Sequence, residues 1–292
     1  MNRQPPVAPD LTSLTGFWLR RAYALAVDCA RTGLGSDANI RDVGILMMLD
    51  ERGPISQGAL ADLLRINRTI MVKLIDALHR QGYVVRARNP ADRRAYALSV
   101  SEAGRQRCKE LLTDLDQVEA ALTSDLDDDQ KALLNELLRS IVSESALTLL
   151  PSLHDRLGYL LAVAYREVVD RATSRLTQVG FEPRHFGVLA VVDRDGPCTQ
   201  QHVATVLGVS APAVLPLIDD VEVDALISRK RGTTDRRTYD LTLTAKGRDR
   251  LAEALGLIES VHAEIVDVIG VEGDHDIRRL LRAVVDIERS HG

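Results

Sequence analysis

Aromatic residues are scarce in this chain, at 3% of 292 residues, so its core must be built from aliphatic side chains. No apolar run approaches the roughly 20 residues that a membrane-spanning helix needs. The N-terminal stretch MNRQPPVAPD lacks the hydrophobic region of a secretory signal. The three cysteines, Cys29, Cys108 and Cys198, are too few and too widely separated for a disulfide framework or a local zinc site. These absences predict a cytoplasmic protein with no membrane contact.

The sequence also lacks the patterns that mark common enzymes. It has no Gly-rich phosphate loop and no nucleophile elbow, and its histidines have no metal-ligand spacing. We therefore expect no catalytic residues, no metal and no cofactor. The formal net charge of −5 argues weakly against nucleic acid, but phosphate binding depends on local basic patches rather than on the sum.

Such patches lie in a segment that occurs twice. Residues 86–104, RARNPADRRAYALSVSEAG, reappear 143 positions later as residues 229–247, RKRGTTDRRTYDLTLTAKG. Eight of these nineteen positions are identical, where unrelated segments share about one. Each copy has a basic strand end, a polar turn and an alternating strand, which together predict a β-hairpin with arginines at its tip.

The elements before each hairpin also repeat. In the first half, a short strand at Ile55–Ser56 precedes a helix at 57–64, and Asn67 is placed to cap a second helix that ends near Gln81. The second half repeats this order, with helices at 200–207 and 210–224. Helix, turn, helix and hairpin together predict a winged helix in each half.

The fold class expected is therefore mainly α with small β-hairpin wings, as tandem winged helix-turn-helix lobes on a shared helical bundle. Residues 1–15 are expected to form a flexible arm. Residues 16–145 form the first unit, with its winged helix at about 40–100. Residues 146–292 form the second unit, with its winged helix at about 183–244. We call the two winged helices lobe one and lobe two.

The hairpin signature Asp-Arg-Arg, followed by alternating apolar residues and Ser/Thr-x-x-Gly, resembles that of the MarR family of transcription regulators. It occurs at Asp92-Arg93-Arg94 and again at Asp235-Arg236-Arg237. The resemblance covers nearly the whole chain beyond its first dozen residues. Because members of this family are normally homodimers, the resemblance implies two protomers fused into a single-chain pseudo-dimer, a ligand-responsive repressor that binds double-stranded DNA.

The DNA-contacting residues follow from the winged-helix layout, in which the second helix enters the major groove and the wing reaches the backbone or minor groove. In lobe one, the candidates are Asn67, Arg68, Thr69 and Lys73 on the helix and Arg88, Arg93 and Arg94 on the wing. In lobe two, the candidates are the wing residues Arg231, Arg236 and Arg237. The competing interpretation is that Asn67 and Thr69 only terminate a helix and that the wing is a solvated hairpin with an internal Asp92–Arg pair.

The second helix of lobe two departs from this pattern. Ala211, Pro212 and Pro216 replace Arg68, Thr69 and Lys73, and four carboxylates follow at Asp219, Asp220, Glu222 and Asp224. Pro216 is expected to kink or shorten the helix. The sequence thus predicts an asymmetric reader, in which lobe one reads bases and lobe two mainly holds the DNA backbone.

Resemblance to the family also implies a small aromatic or lipophilic ligand, held where long helices meet the winged helix. The candidate contacts are Trp18, Arg21, Tyr23, Tyr159, Tyr165, Arg184 and His185. Cys29 is either an oxidant sensor, as in some relatives, or a small buried hydrophobe. The alternative function is a degenerate winged-helix sensor that binds a ligand or protein without specific DNA binding, which the acidic stretch from Asp219 to Asp224 favours.

Overall fold

The structure is a computed structural model that describes residues 10–34, 40–88, 96–231 and 239–290, with the side chains of Arg88, Tyr96 and 287–290 left out. The first half contains helices α1 (Thr15–Gly33), α2 (Ile40–Arg52), α3 (Gln57–Leu64), α4 (Arg68–Arg80), α5 (Glu102–Leu122), α6 (Asp128–Ser140) and α7 (Glu144–Leu147), with strands β1 (Ile55–Ser56), β2 (Val84–Arg88) and β3 (Tyr96–Val100). The second half contains α8 (Leu157–Gln178), α9 (Pro183–Asp195), α10 (Gln200–Leu207), α11 (Ala211–Val223) and α12 (Ala245–Ser290), with β4 (Cys198–Thr199), β5 (Ile227–Arg231) and β6 (Tyr239–Leu243).

The expected mainly α fold with two small wings is confirmed. Each lobe has a three-stranded antiparallel sheet, in the orders β1-β3-β2 and β4-β6-β5. The registers are equivalent, since Arg86 lies opposite Leu98 and Arg229 lies opposite Leu241. The short first strand of each sheet lies on the other side of that leucine. Ile55 pairs with Leu98 in lobe one, and Cys198 pairs with Leu241 in lobe two. The hairpin tips at 89–95 and 232–238 lie outside the described residues.

The Ser/Thr-x-x-Gly motif closes each wing onto the following helix. In the first half, Ser101 Oγ accepts from the Gly104 amide at 3.0 Å, and the Ser101 amide donates to the Tyr83 carbonyl at 2.9 Å. A side chain at Gly104 would meet that carbonyl, because an added Cβ would lie 2.2 Å from its oxygen. Thr244 and Gly247 repeat this arrangement against the Leu226 carbonyl. The motif therefore combines a helix N-cap with a close backbone approach that only glycine permits.

Two details of the second half differ from the predictions. Pro216 does not shorten α11, which spans thirteen residues like α4. Its missing N–H costs one helical hydrogen bond, while the buried side chains of Val214, Ile218 and Val221 hold the helix in place. The two closing helices meet at Gly270 rather than near Asp274, because Gly270 has the non-helical angles φ 75° and ψ 168°.

The chain forms two compact units, and each is assembled from two separate stretches. The lobe-one unit comprises Ala22–Ala164 and Ala283–Gly292, and the lobe-two unit comprises Met1–Arg21 and Tyr165–Arg282. Helices α1, α8 and α12 each pass from one unit into the other. The start of α1 therefore packs with the second half of the sequence, and the start of α8 packs with the first.

Each unit has its own aliphatic core. The lobe-one core packs α2, α3 and α4 around Leu46, Met71 and Ile75. The lobe-two core includes Leu11 and Leu14 from the N-terminal segment. Among the described residues, no single helix has both the length and the hydropathy to cross a bilayer. Helices α10 and α11 meet both criteria only when they are counted as one segment across the 114° bend between them.

Candidate nucleic-acid interface and cavity

The N-terminal end of α4 forms an exposed polar and basic surface in lobe one. Asn67 caps the helix, since its Oδ1 accepts from the Thr69 amide at 2.9 Å. Arg68 is 78% exposed along its side chain, and its Nη2 lies 3.5 Å from Asp62 Oδ2. Thr69 and Lys73 are also exposed. Asn67 therefore caps the helix through its Oδ1 atom, as the capping interpretation expects. The Arg68 guanidinium is exposed and has the donors that a guanine edge accepts.

The position of Arg68 is fixed by what lies behind α4. The opposite face of the helix buries Met71, Ile75 and Leu78 in the lobe-one core. Before it, Arg65 ends α3 in the left-handed region at φ 51°, which makes the tight turn between the two helices. Because the turn and the buried face are both set locally, the basic end of α4 is held outward on a rigid support.

An ion pair that the sequence did not predict joins the second helix of each lobe to its wing. In lobe one, Arg86 on β2 bonds to Asp76 on α4. The repeat supplies the same pair in lobe two, where Arg229 on β5 bonds to Asp219 on α11 and its Nε lies 3.0 Å from Glu222. Two of the four lobe-two carboxylates are thus used to hold an arginine, so they are less repulsive toward DNA than the sequence alone indicates.

The exposed surface of α11 carries no basic group at its N-terminal end. The positions equivalent to Asn67, Thr69, Val72 and Lys73 are occupied by Ser210, Pro212, Leu215 and Pro216, all of them exposed. On the wing, Lys230 and Arg231 are exposed at the end of β5. Of the remaining wing candidates, Arg93, Arg94, Arg236 and Arg237 lie outside the described residues, and Arg88 is described only as the last residue of β2. Lobe two therefore presents charge at its wing and a neutral helix end.

A cavity of about 550 Å³ lies within the lobe-two unit, between α1, α8, α9, α11 and α12. Its lining is mostly apolar, and the residues relevant to binding are Phe17, Arg20, Tyr165, Arg184, Phe186 and His262. The volume is in the range typical of small-molecule sites.

Two residues that line this cavity each have a buried side-chain nitrogen with no hydrogen-bond partner among the described residues. They are Nη2 of Arg20 and Nδ1 of His262. Burial lowers the pKa of Arg20 from its ordinary value, while Tyr165 opposes this effect and the neighbouring Arg21 adds to it. A buried donor without an acceptor is costly, and a cation is more costly than a neutral group. The cavity is therefore suited to an occupant that supplies an acceptor or a negative charge.

Only some of the predicted ligand residues meet in this cavity. Tyr165 and Arg184 line it, and Arg184 Nη2 also lies 3.1 Å from Asp220 Oδ2 on α11. Trp18 and Arg21 lie on the same unit without lining it, and the Trp18 indole donates to the Thr12 carbonyl at 2.9 Å. His185 is buried beside Asp220, at 3.5 Å.

Tyr23 and Tyr159 fall in the other unit, where Tyr159 donates to the Ala146 carbonyl at 2.8 Å. Sequence reasoning missed Phe17, Arg20 and His262. Leu14, Phe17 and Arg20 share one helical face at a spacing of three residues, and that spacing was the available signal.

The cysteines differ in their environments. Burial, together with the carboxylates of Asp50 and Glu51, raises the pKa of the Cys108 thiol to about 11. Cys198 is buried, and Cys29 is partly exposed. Among the described residues, no group of three or more His, Cys, Asp or Glu side chains is placed to hold a metal ion.

We predict that Cys29 reacts with iodoacetamide before Cys108 does. At pH 8 a thiol of pKa about 11 is ionised to about one part in a thousand, and only the thiolate is nucleophilic. Peptide mass mapping after short exposures at pH 8 should find the Cys29 adduct first. Equal rates for the two thiols would contradict the burial argument. Unfolding the protein in urea, as a control, should bring the rates together.

Two segments of the chain match family models described as MarR family, residues 39–96 and residues 179–238. The chain is similar to a putative transcriptional regulatory protein for the hcr operon of Thauera aromatica, with 27% identity over 157 residues that cover 50% of this chain and 95% of that protein. It is also similar to the HTH-type transcriptional regulator MhqR of Bacillus subtilis (strain 168), with 25% identity over 126 residues that cover 42% of this chain and 82% of that protein.

Among solved structures, the chain is similar to the transcriptional repressor CouR bound to a 23-mer DNA duplex. The identity is 31%, the match covers 47% of this chain and 95% of that one, and the TM-score is 0.41. The relatives match over 82% or more of their own lengths within about half of this chain. Each of these matches therefore spans about half of the chain, while the family models match one segment in each half.

Proposed function

Because this chain belongs to the MarR family, with one family unit in each half, we propose that it regulates transcription by binding duplex DNA as a single-chain pseudo-dimer. The curated relatives are named as transcriptional regulators. The observation that carries the proposal is the outward, basic N-terminus of α4, with Arg68 exposed on a helix whose other face is buried. A helix presented in this way is suited to the major groove.

The division of labour between the lobes follows from the side chains at equivalent positions. Arg68 and Lys73 on α4 supply donors for guanine and phosphate, whereas Ala211 and Pro216 on α11 supply none. The wing of lobe two keeps Lys230 and Arg231 exposed. Lobe one therefore reads sequence, and lobe two contributes contacts to the backbone that do not depend on sequence.

The cavity in the lobe-two unit is the proposed effector site. Its wall includes Leu217 of α11, and Arg184 connects the wall to the same helix through Asp220. An occupant therefore contacts the second helix of lobe two directly. A ligand that binds one position of α11 better than another shifts the equilibrium between them and changes DNA affinity. The protein is accordingly a ligand-responsive repressor, with a small apolar or aromatic ligand as its effector.

A gel shift with the duplex upstream of the protein's own gene, at 50 and 200 mM salt, tests the DNA-binding function. A specific complex should form with that duplex and weaken steeply with salt, because phosphate contacts release counterions. Sedimentation of the free protein should give a single chain of 32.1 kDa. A protein that binds no duplex at either salt concentration would instead support the alternative, a winged-helix sensor without specific DNA binding.

Replacing Arg231 by alanine should weaken binding to all duplexes by a similar factor of several-fold. The slope of log affinity against log salt should fall by about 0.9, which is the value for one lost phosphate contact. Titrations of a cognate and a scrambled duplex at four salt concentrations would measure both quantities. Lys131→Ala, which removes the same charge from α6 outside either winged helix, is the matched control. A change in the cognate-to-scrambled ratio with Arg231→Ala would contradict a purely backbone role.

A further inference from the structure

The internal repeat allows the cavity to be compared with its equivalent in the other unit. Helices α1 and α8 align with an offset of 142 residues, and eight of the nineteen positions from Gly16 to Leu34 are then identical. These are Gly16/Gly158, Leu19/Leu161, Ala22/Ala164, Tyr23/Tyr165, Val27/Val169, Asp28/Asp170, Ala30/Ala172 and Leu34/Leu176. Helices α5 and α12 keep the offset of 143 that relates Gly104 to Gly247. Each cavity residue on α1 and α12 can therefore be matched to an equivalent residue on α8 or α5 in the other unit.

Two polar residues of the cavity differ in the counterpart, whereas Tyr165 and Arg184 are retained there as Tyr23 and Arg41. Arg20 corresponds to Ala162 on α8, and His262 corresponds to Glu119 on α5. The first exchange removes a cation, and the second replaces an imidazole by a carboxyl group. The two equivalent positions thus differ in electrostatic character although the folds around them repeat.

Glu119 is also occupied by bonds within its own unit. Its carboxylate accepts from the Leu157 amide at 2.6 Å and from the Gly158 amide at 3.4 Å, at the beginning of α8. Burial raises the pKa of Glu119, while these backbone bonds act in the opposite direction. A partly buried carboxyl group that caps a helix is a poor neighbour for a second anion, because like charges repel more strongly away from bulk water.

The cavity of the lobe-two unit has the opposite character. The buried Nη2 of Arg20 and the buried Nδ1 of His262 lack acceptors among the described residues. A carboxylate can accept two parallel bonds from a guanidinium, and such charge-assisted pairs are stronger than neutral hydrogen bonds. The remaining wall is mostly apolar, with Phe17 and Phe186 suited to a ring system, and its charged members Glu182 and Arg184 are of opposite sign. The ligand chemistry that fits is an organic monoanion with an apolar body.

We propose that each chain binds one anionic effector, in the lobe-two unit at Arg20, and not the two that a duplicated fold would hold. The inference rests on the effector role given to this cavity under the proposed function. Its consequence is that the sensing site lies in the unit whose winged helix holds the backbone, and that the base-reading lobe has lost its equivalent site. In this fused chain, the lobe-two unit binds the effector and lobe one reads the DNA bases.

Isothermal titration of the full chain, without DNA, tests the stoichiometry. The probes are aromatic monocarboxylates of increasing size, from benzoate to 2-naphthoate, each paired with its neutral amide. At least one acid should bind with one site per chain, and its amide should bind at least 10-fold more weakly, since the amide lacks the charge that Arg20 satisfies. Two sites per chain, equal affinity for acid and amide, or no binding by any acid would overturn the proposal.

Arg20→Gln should weaken binding of that acid by about 10- to 100-fold, because a hydrogen bond to a charged group is lost. Arg279→Gln is the matched control, since Arg279 is exposed on α12 outside the cavity and pairs with Asp276. Circular dichroism would show that both variants keep the wild-type helix content. An unchanged affinity in Arg20→Gln would overturn the assignment, and the comparison of acid with amide in the wild-type protein does not depend on this variant folding.

A gel shift with and without the acid separates this proposal from the function on which it rests. Release of DNA at the concentration that fills the single site supports both. A one-to-one complex that leaves DNA affinity unchanged supports the anion site and refutes only its effector role.

Discussion

Alanine in place of Arg68 is expected to reduce the discrimination between cognate and scrambled duplexes by about 10- to 100-fold, with a smaller loss of affinity for scrambled DNA. A bidentate arginine–guanine pair contributes about 1–3 kcal/mol of discrimination. Arg68 is the first residue of α4, is 78% exposed, and is supported by a helix face buried in the core. Competition titrations with the two duplexes at constant salt measure this ratio.

Arg80→Ala is the control for that result, because Arg80 lies exposed at the other end of the same helix and bonds only to the Asp76 carbonyl among the described contacts. It removes the same charge without removing a group from the N-terminal end. A fall in discrimination that Arg80→Ala reproduces would indicate a general loss of positive charge. A ratio unchanged in Arg68→Ala would remove the base-reading role from this residue.

Gly247→Ala is expected to destabilise the protein by about 3 kcal/mol, which is large for the addition of one methyl group. The added Cβ would lie 2.0 Å from the Leu226 carbonyl oxygen, which is backbone and cannot move away as a side chain would. That oxygen also accepts from the Thr244 amide, so a shift would break the contact between wing and helix. Urea denaturation followed by circular dichroism gives the change in the free energy of unfolding.

The same helix offers an opposite control. Gly256→Ala places its Cβ where no atom lies within 4 Å, and it replaces a glycine in a helix interior. Because alanine has the higher helix propensity, we expect a gain of up to about 1 kcal/mol. A similar loss for both substitutions would show that glycine flexibility, and not the approach of the Leu226 carbonyl, controls stability at position 247.

The sequence predicted those parts of the fold that short-range chemistry determines. The N-cap at Asn67 and the strands of both hairpins lie where the pattern placed them. Each depends on residues fewer than twenty positions apart. Proline at 216 misled because its effect on one hydrogen bond is local, whereas the helix is held by distant core contacts.

The cavity was harder to predict because its parts are far apart in sequence. Arg20 meets Tyr165 and His262 across more than 140 residues. Of the residues that the resemblance suggested, Tyr165 and Arg184 line the cavity, whereas Arg21 does not and its neighbour Arg20 does. Neighbouring helix positions differ by about 100° in direction, so an error of one residue selects a different face. The wing arginines 93, 94, 236 and 237 and the base contacts of lobe one remain predictions.

The passage of α1, α8 and α12 between the two compact units has a consequence for dissection of the protein. A fragment ending at residue 145 would retain Leu11 and Leu14 but not the second-half core in which they are buried. The complementary fragment would carry Leu153 and Tyr159 without the first-half core against which they pack. Each piece would expose apolar surface that the intact polypeptide covers, so the two repeats have become mutually dependent for folding, and neither is a removable module.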